Sequence, residues 1–249
     1  MDNTGYTAHE AANISALGWY NDDSLVREIV KIIEKYHTDE LVDVCCGTGY
    51  LYPKLLAFYQ KIYAVDLSES MLEYNRMYNI NQTRFISYTC SDAIKYIKSN
   101  KEVIQEKDLL LKNCLQFLNL LELENLLRNS KSNHIFIINT ISKSKSNFFD
   151  ILKRNNFKFV QRTKNYITEY KLDTFCESIG IIKESSIVKQ KIPISDWLAY
   201  HGCEQVKIQQ LTDLLNNMQS TDLLNNGITQ VDNQYMLQRY EKVYCINPR

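Results

Sequence analysis

Residues 40–66 read ELVDVCCGTGYLYPKLLAFYQKIYAVD, and this stretch decides the fold. It opens with a short apolar run, 40–46, that contains two cysteines and is followed directly by two closely spaced glycines. It closes with a second short apolar run, 61–66, and a segment of helical character, 50–60, lies between the two runs. A strand, a tight turn, a helix and a second strand form a βαβ unit. The sequence therefore predicts two parallel strands joined by a helical crossover.

Glycine is scarce in this chain, which makes its placement informative. Only 7 of the 249 residues are glycine, whereas average composition would give about 17. Two of the seven, Gly47 and Gly49, are separated by a single residue. Because glycine adopts backbone conformations that other residues avoid, the pair predicts a sharp turn or a close approach of the backbone to a ligand.

The alternation of helices and strands continues on both sides of this unit. A helix with one apolar stripe is predicted from Ser24 onward. After Asp66 the predicted order is helix, strand, short helix, strand, helix and strand, ending at Thr140. Five strands with helical crossovers predict an α/β fold, doubly wound about a parallel sheet that is covered on both faces.

The chain beyond Thr140 is less regular. We expect an insertion at 141–170, then a helix that ends at Gly180 as its C-cap, and a strand at 181–192. Another helix follows, and the last strand is predicted at 239–247.

Charge and length exclude several classes of protein. The chain has 29 basic and 29 acidic side chains, so it lacks the overall basic field that favours nucleic-acid binding. Its N-terminus has neither the charged nor the apolar region of a secretion signal, and no long apolar stretch would span a membrane. We therefore expect a cytoplasmic protein that binds neither nucleic acid nor membrane.

The cysteines and histidines give no indication of a metal site. Seven cysteines are scattered along the chain without CxxC spacing, and there are only four histidines. No zinc or calcium motif is present. The cysteines are expected to be reduced thiols, and no metal is predicted.

The residues around the glycine pair can be tested against known nucleotide-binding patterns. Asp66 ends the second apolar run, 23 residues after Asp43. An acidic residue at this place in an α/β sheet holds ribose hydroxyls, although it could instead cap the next helix. The dinucleotide fingerprint requires a third glycine, but the sequence from Gly47 reads GTGYLY, and the phosphate-binding ending GK[ST] is absent. The pattern fits an adenosine-bearing cofactor and disfavours a pyrophosphate.

Four segments, in this order, resemble the motifs of the class I S-adenosylmethionine-dependent methyltransferases. They are the loop 43–49, the segment 64–72, the tripeptide 91–93 and the segment 108–117, and the resemblance covers roughly residues 24–140. Four motifs in register make a specific signal, whereas each alone would be weak.

The resemblance implies S-adenosylmethionine as cofactor and S-adenosylhomocysteine as product. It places Asp66 on the ribose, Leu67 and Met71 beside the adenine, and Asp92 near the adenine amine. Cys45 stands where the family usually has its first glycine, a place that tolerates small residues. The expected cofactor-binding residues are Tyr20, Asp43, Cys45, Gly47, Gly49, Asp66, Leu67, Met71, Asp92, Ala93 and Asn113.

The resemblance also implies a Rossmann-like sheet of seven strands. The expected strand order is 3-2-1-4-5-7-6, with the last strand antiparallel and helical inserts forming a cap. One methyltransferase domain would span residues 1–249. Its core would comprise about 24–140, 171–192 and 239–247, and its cap 1–23, 141–170 and 193–238.

The segment 193–198 resembles the cap insertion of a broad group related to the quinone-biosynthesis methyltransferases, which act on small molecules. The methyl acceptor is then expected to be an O, N or C atom of a small apolar or aromatic metabolite, methylated by in-line displacement. His201 is the first candidate for a general base, and His9 the second. The expected substrate-pocket residues are Trp19, Phe117, Tyr166, Trp197 and Tyr200.

Several alternatives stay open at this point. Asp92 could serve only as a helix cap, Trp197 as a core anchor of the cap, and His201 as an ordinary histidine. The whole chain could be a catalytically silent homologue that binds the cofactor or a partner protein, or it could methylate RNA. A monomer or a homodimer is expected.

Overall fold

The computed structural model describes residue 7 and residues 11–13, 22–141, 148–155, 167–200 and 203–249. The strands are β1 (Glu40–Val44), β2 (Lys61–Asp66), β3 (Ile86–Cys90), β4 (Asp108–Lys112), β5 (Ile135–Ile141), β6 (Gly180–Pro193), β7 (Ile228–Val231) and β8 (Gln234–Pro248). The α-helices are α1 (Asp23–Tyr36), α2 (Tyr52–Leu55), α3 (Glu69–Tyr78), α4 (Ala93–Ser99), α5 (Lys101–Ile104), α6 (Leu120–Arg128), α7 (Phe148–Arg154), α8 (Glu169–Ile179), α9 (Ile194–Tyr200), α10 (Gln205–Asn216) and α11 (Ser220–Asn225).

The strands form one sheet in the order β3-β2-β1-β4-β5-β8-β6, and β7 pairs with β8 outside this path. The first five strands run parallel to one another, and β8 is antiparallel to both β5 and β6. The predicted doubly wound α/β fold is confirmed, including the antiparallel last strand between strand five and strand six. The reversal of strand order beside β1 puts the carboxyl ends of β1 and β4 at one crevice, where such sheets bind ligands.

The strand count differs from the prediction, because β7 adds an eighth strand. The segment 228–231 forms a hairpin with the start of β8, and the turn residues Asp232 and Asn233 have φ values of 47° and 62°. Two consecutive positive φ values are typical of the tight turns that join antiparallel strands. An Asp-Asn turn without glycine is a weak sequence signal, so the hairpin was not predicted.

Two helix ends also differ from expectation. The helix predicted over 50–60 is only the four-residue α2, because Ala57 and Phe58 bond to carbonyls three residues back and the chain turns away. Gly180 follows α8 but has an extended φ of −178°, so it is not a left-handed C-cap. A Cβ at Gly180 would lie 2.0 Å from the carbonyl oxygen of Asn247. The glycine is therefore required by the close approach of β8.

The helix α1 shows how the sequence produces the layers around the sheet. The carboxylate of Asp22 accepts hydrogen bonds from the backbone N–H groups of Ser24, at 2.8 Å, and Leu25, at 3.1 Å, which starts the helix. Leu25, Ile29 and Ile32 then lie on one stripe and are almost fully buried. They pack with α2 on one face of the sheet, while α4, α6 and α8 cover the other face.

A third apolar cluster lies outside the two faces of the sheet. It joins α7, α9, α10, α11 and β7, through Phe148, Leu198, Leu211 and other buried side chains. Trp197 packs edge-on against Phe148, with ring centroids 5.9 Å apart. We call these elements the cap. Within the described part of the chain, none of the helices is both long enough and apolar enough to cross a membrane.

Candidate functional site

The loop after β1 alternates between ordinary and left-handed backbone. Cys45, Gly47 and Gly49 have φ values of 62°, 56° and 64°. The N–H of Cys46 bonds to the carbonyl of Val65 at 3.0 Å, which ties the loop to the end of β2. Cys45 thus adopts a glycine-like conformation at the position where the resembling family usually has glycine, a conformation that costs a residue with a Cβ about 1–2 kcal/mol.

Asp66 lies at the carboxyl end of β2 and faces this loop. Its Oδ2 accepts a hydrogen bond from the Gly47 N–H at 2.9 Å, and its Oδ1 accepts one from the Ser68 N–H at 2.9 Å. Burial raises the pKa of Asp66, and these backbone donors oppose that rise. The alternative reading of Asp66 as a helix cap is excluded, because the hydroxyl of Ser68 caps α3 by accepting from the Met71 N–H at 3.3 Å.

The geometry of Asp66 fits a ribose-bearing cofactor. A carboxylate offers about four lone-pair positions, and the two backbone donors occupy only two of them. In addition, a Cβ built at Gly47 would meet no atom of the described residues within 4 Å, so these residues leave open space beside the carboxylate. The charged acceptor and the open glycine surface are the two features that a ribose and its substituents require.

Two asparagines that the sequence reasoning missed hold the loop in place. The amide nitrogen of Asn75 in α3 donates to the carbonyl of Gly47 at 3.3 Å, and that of Asn79 donates to the carbonyl of Gly49 at 3.2 Å. The two side chains are fully buried and bonded to each other at 2.9 Å. Their spacing of four residues on one helix face was the available signal.

The expected adenine-contacting residues lie on the segments that follow β2 and β3. Leu67 is partly exposed, and Met71 is buried in the first turn of α3. Asp92 is exposed and caps α4 by accepting from the Lys95 N–H at 2.9 Å, and Ala93 is buried behind it. The capping role of Asp92 is thus established in the structure, whereas its contact with adenine stays a prediction.

A small cavity lies beneath the glycine loop. Its volume is about 20 Å³, which is enough for one water molecule. The lining residues are Asp43, Cys45, Cys46, Thr48, Gly49, Tyr50, Leu51, Tyr52, Leu110 and Lys112.

Two buried titratable groups, Asp43 and Lys112, both line this cavity. Burial raises the pKa of Asp43 to about 7, while the Tyr52 hydroxyl and the charge of Lys112 oppose the rise. Burial lowers the pKa of Lys112 to about 8, and the carboxylate of Glu241 opposes that change. The ammonium of Lys112 lies 4.9 Å from the centre of the Tyr50 ring. The sequence reasoning singled out Asp43 but not Lys112.

The raised pKa of Asp43 makes stability depend on pH. Because the folded pKa of about 7 exceeds the ordinary value of 3.8, the folded state binds more protons than the unfolded state between those values. The proton on Asp43 stabilises the folded state fully below about pH 4. This stabilisation is lost as the pH rises through about 7. We expect Asp43→Asn to gain stability relative to the wild type over this interval, by roughly 1–4 kcal/mol. Urea unfolding of both proteins at several pH values would measure this, and a constant difference would contradict it.

Asn113 directly follows β4 with a φ of 51°, and its side chain turns toward β5 and β8. Its Oδ1 accepts from the Thr140 N–H at 2.9 Å, and its Nδ2 donates to Glu241 at 3.2 Å. Thr140 and Glu241 are cross-strand partners on β5 and β8, and Arg239 pairs with Glu241. The sequence reasoning missed this charged cluster, because β8 pairs with β5, and Glu241 reaches Asn113, only in the folded sheet.

The thiols of the loop are not activated. A hydrogen bond with the Cys114 thiol, together with burial, raises the pKa of Cys45, and burial together with the charge of Asp66 raises that of Cys46. A raised pKa leaves little thiolate at neutral pH, so neither thiol is a good nucleophile. All seven cysteines are free, and the described residues contain no group of three or more side chains arranged for a metal ion.

The structure describes only some of the residues that were expected in the substrate pocket. Phe117 is half-buried in the turn after β4, and Trp197 is half-buried in the cap against Phe148, which agrees with its reading as a core anchor. Tyr200 ends α9, and its side chain is not described. The remaining expected residues lie outside the described ranges and are His9, Trp19, Tyr20, Tyr166 and His201.

Known proteins share this architecture. Residues 42–104 match the family model for a methyltransferase domain. A search among curated proteins found no match. The YcgJ protein from Bacillus subtilis is 10% identical with a TM-score of 0.67, and the match covers 90% of this chain and 98% of that one. An S-adenosylmethionine-dependent methyltransferase from Anabaena variabilis is 13% identical with a TM-score of 0.60, covering 97% and 93% of the two chains.

A third similar structure is phosphoethanolamine N-methyltransferase 2 from Haemonchus contortus, solved with phosphomonomethylethanolamine and S-adenosylhomocysteine. It is 14% identical with a TM-score of 0.58, and the match covers all of this chain and 60% of that one. Identities this low establish only the shared fold. The family model matches the sequence itself over 42–104, a range that includes most of β1, the glycine loop, β2 and Asp66. Together, the sheet order and the family match show a methyltransferase domain over residues 42–104 within a class I methyltransferase fold.

Proposed function

We propose that this enzyme transfers the methyl group of S-adenosylmethionine to an O, N or C atom of a small molecule, and that Asp66 holds the ribose of the cofactor. The observation that carries the proposal is the environment of Asp66. Each of its oxygens accepts one backbone N–H, from Gly47 or Ser68, and the remaining lone pairs border the open surface of the loop. Vicinal ribose hydroxyls are donors that such a carboxylate can accept.

The other cofactor-contacting residues follow from their places around Asp66. Leu67, Met71, Asp92 and Ala93 would border the adenine, since they follow the ends of β2 and β3 beside Asp66. Asp43, Cys45, Gly47 and Gly49, with Asn113 and Tyr20, would surround the methionine end. The loop has little freedom to move, because Asn75 and Asn79 fasten its carbonyls to α3.

The bound cofactor supplies a methyl group on a positively charged sulfur, which is a good leaving group. The protein then has to position the acceptor and exclude water, and these two effects provide most of the acceleration. We assign the exclusion of water to the cap, whose separate apolar cluster is built from Phe148, Trp197 and neighbouring side chains. His201 remains the proposed base for an acceptor that is protonated at neutral pH.

The proposal covers the whole chain, 1–249, as one methyltransferase domain with a small-molecule substrate and no nucleic-acid partner. The zero net charge supports a substrate other than nucleic acid. We further propose a cytoplasmic monomer or homodimer, related to the quinone-biosynthesis methyltransferases through the segment 193–198. Seven free thiols are typical of a reducing compartment.

Titration calorimetry tests the cofactor assignment. We expect S-adenosylmethionine and S-adenosylhomocysteine to bind the purified protein. NAD⁺ is a matched control ligand, because it shares the adenosine but carries a pyrophosphate, and the loop lacks the third glycine of the dinucleotide fingerprint. Binding of NAD⁺ alone, or of none of these ligands, would overturn the proposed function.

A further inference from the structure

Glu241 is a buried carboxylate that uses only one of its two oxygens. Its side chain is 1% exposed. Its Oε1 accepts hydrogen bonds from Asn113 Nδ2 at 3.2 Å and Thr140 Oγ1 at 3.0 Å, and it pairs with the guanidinium of Arg239. Its Oε2 has no donor among the described residues. A buried acceptor without a donor costs free energy unless a ligand or a water supplies one.

Gln116 presents a second acceptor of the same kind. It lies in the turn after β4, and its Nε2 donates to the carbonyl of Asn113 at 2.6 Å. That bond fixes which end of the amide is nitrogen, since a carbonyl can only accept. The other end, Oε1, is buried and has no donor among the residues that the structure describes.

Both unused oxygens belong to side chains that are bonded to Asn113, at the carboxyl end of β4. Glu241 reaches this point from β8, where it faces Thr140 at the end of β5. The carboxyl ends of β1 and β4 form the crevice in which such sheets bind ligands, and Asn113 follows β4 directly. Two buried acceptors without donors, both on side chains bonded to Asn113, fit a ligand that carries hydrogen-bond donors.

We propose that the methyl acceptor is a polar molecule bearing N–H or O–H groups, and that Glu241 Oε2 and Gln116 Oε1 accept hydrogen bonds from those groups. This inference rests on the proposed function, because it assigns the acceptor to the crevice beside the cofactor. It narrows the acceptor from an apolar or aromatic metabolite to an amine or a hydroxyl compound. Glu241 and Gln116 are then specificity-determining residues.

The test uses two pairs of probes in which methylation removes the hydrogen-bond donors of one member, and the variants below separate this effect from the added bulk. Catechol is paired with 1,2-dimethoxybenzene, and benzylammonium is paired with benzyltrimethylammonium, which keeps the positive charge but has no N–H. Their affinities are measured by ligand-observed NMR titration of the full-length protein saturated with S-adenosylhomocysteine. In at least one pair, we expect the donor-bearing member to bind about tenfold or more tightly than its methylated partner. The pair that responds distinguishes a hydroxyl acceptor from an amine.

The variant Glu241→Gln changes an acceptor into a donor with almost no change of shape. The amide oxygen can keep the bonds from Asn113 and Thr140, so the NH₂ group takes the place of Oε2. We expect the variant to lose the preference for the donor-bearing probe while its affinity for S-adenosylhomocysteine stays unchanged. Gln116→Met, which removes only the second acceptor, should reduce the preference and serves if Glu241→Gln does not fold. Glu169→Gln is the matched control, because it makes the same chemical change outside the proposed acceptor site. Glu169 pairs at 3.1 Å with Lys242, the residue that follows Glu241 in β8.

Equal responses within both probe pairs, including no response from any probe, would overturn this inference. An unchanged preference in Glu241→Gln and Gln116→Met would overturn it as well. Failure of the wild type to bind S-adenosylhomocysteine is a different result, since it contradicts the proposed function and is seen in the calorimetry before any probe is added.

Discussion

Replacing Asp66 with alanine should weaken the binding of S-adenosylhomocysteine about 10- to 100-fold. The substitution removes hydrogen bonds from the ribose to a charged acceptor, which contribute roughly 1.5–3 kcal/mol. It also removes the acceptor for the Gly47 and Ser68 N–H groups, so the loop loses one of its links to the end of β2. Titration calorimetry of the wild type and the variant, at a temperature at which both are folded, measures the effect.

Asp108 provides a matched control for Asp66. It is a fully buried carboxylate at the opposite end of β4, where it accepts from the Thr38 N–H at 2.7 Å and the Tyr59 hydroxyl at 3.0 Å. Asp108→Asn should therefore lower stability by about 1–3 kcal/mol without changing affinity for the product. Equal affinities in Asp66→Ala and the wild type would remove Asp66 from the site.

Replacing Gly49 with alanine should cost much more stability than the same change at Gly47. Both residues have left-handed backbone, which costs alanine about 1–2 kcal/mol. At Gly49, however, the new Cβ would lie 2.3 Å from the side chain of Asn75, which is fully buried and bonded to Asn79 and Tyr88. Overpacking of this kind adds about 1–3 kcal/mol, so Gly49→Ala should lose roughly 2–5 kcal/mol in total.

Gly47→Ala should lose little stability but much of its affinity for S-adenosylhomocysteine. Its Cβ meets no atom of the residues that the structure describes within 4 Å, so stability should fall only by the cost of the left-handed backbone. That open space is where we place the cofactor, so the affinity for S-adenosylhomocysteine should fall by at least about tenfold. Urea unfolding and calorimetry of both variants measure the two effects.

A double variant checks the reason given for Gly49. In an Asn75→Ala background, the substitution Gly49→Ala should cost less, because the overlapping side chain is gone. Similar losses at Gly47 and Gly49, or no coupling between Gly49 and Asn75, would contradict the packing argument.

Much of the sheet could be predicted from local patterns. The strands β1, β2, β4 and β5 are short apolar runs, and a run of this kind between turn signals is typical of a strand buried on both faces. The place of the last strand in the sheet was predicted from the resemblance to the methyltransferase family. The hairpin of β7 and β8 was missed, because its Asp-Asn turn lacks the glycine that normally marks such a turn.

The candidate site could be predicted where one segment of the sequence supplies both the glycine loop and the acidic side chain beside it. Gly47, Gly49 and Asp66 belong to a single βαβ unit, so their spacing alone brought them together. Local sequence could not separate capping from binding at Asp66 and Asp92, since both follow strands and precede helices. The structure shows the capping: Ser68 caps α3 after β2, and Asp92 caps α4. Cofactor binding by Asp66 and Asp92 stays a prediction.

The sequence by itself determined the doubly wound fold, the turn at the glycine pair and the acidic residue beside it, because each depends on neighbours close in the chain. Only the tertiary structure decided how that turn is held and which side chains meet Asn113 at the end of β4. Asn75 and Asn79 reach the loop from α3, and Glu241 reaches the end of β4 from β8, 128 positions away from Asn113. Contacts of this kind are set by strand order and register, which no local pattern encodes.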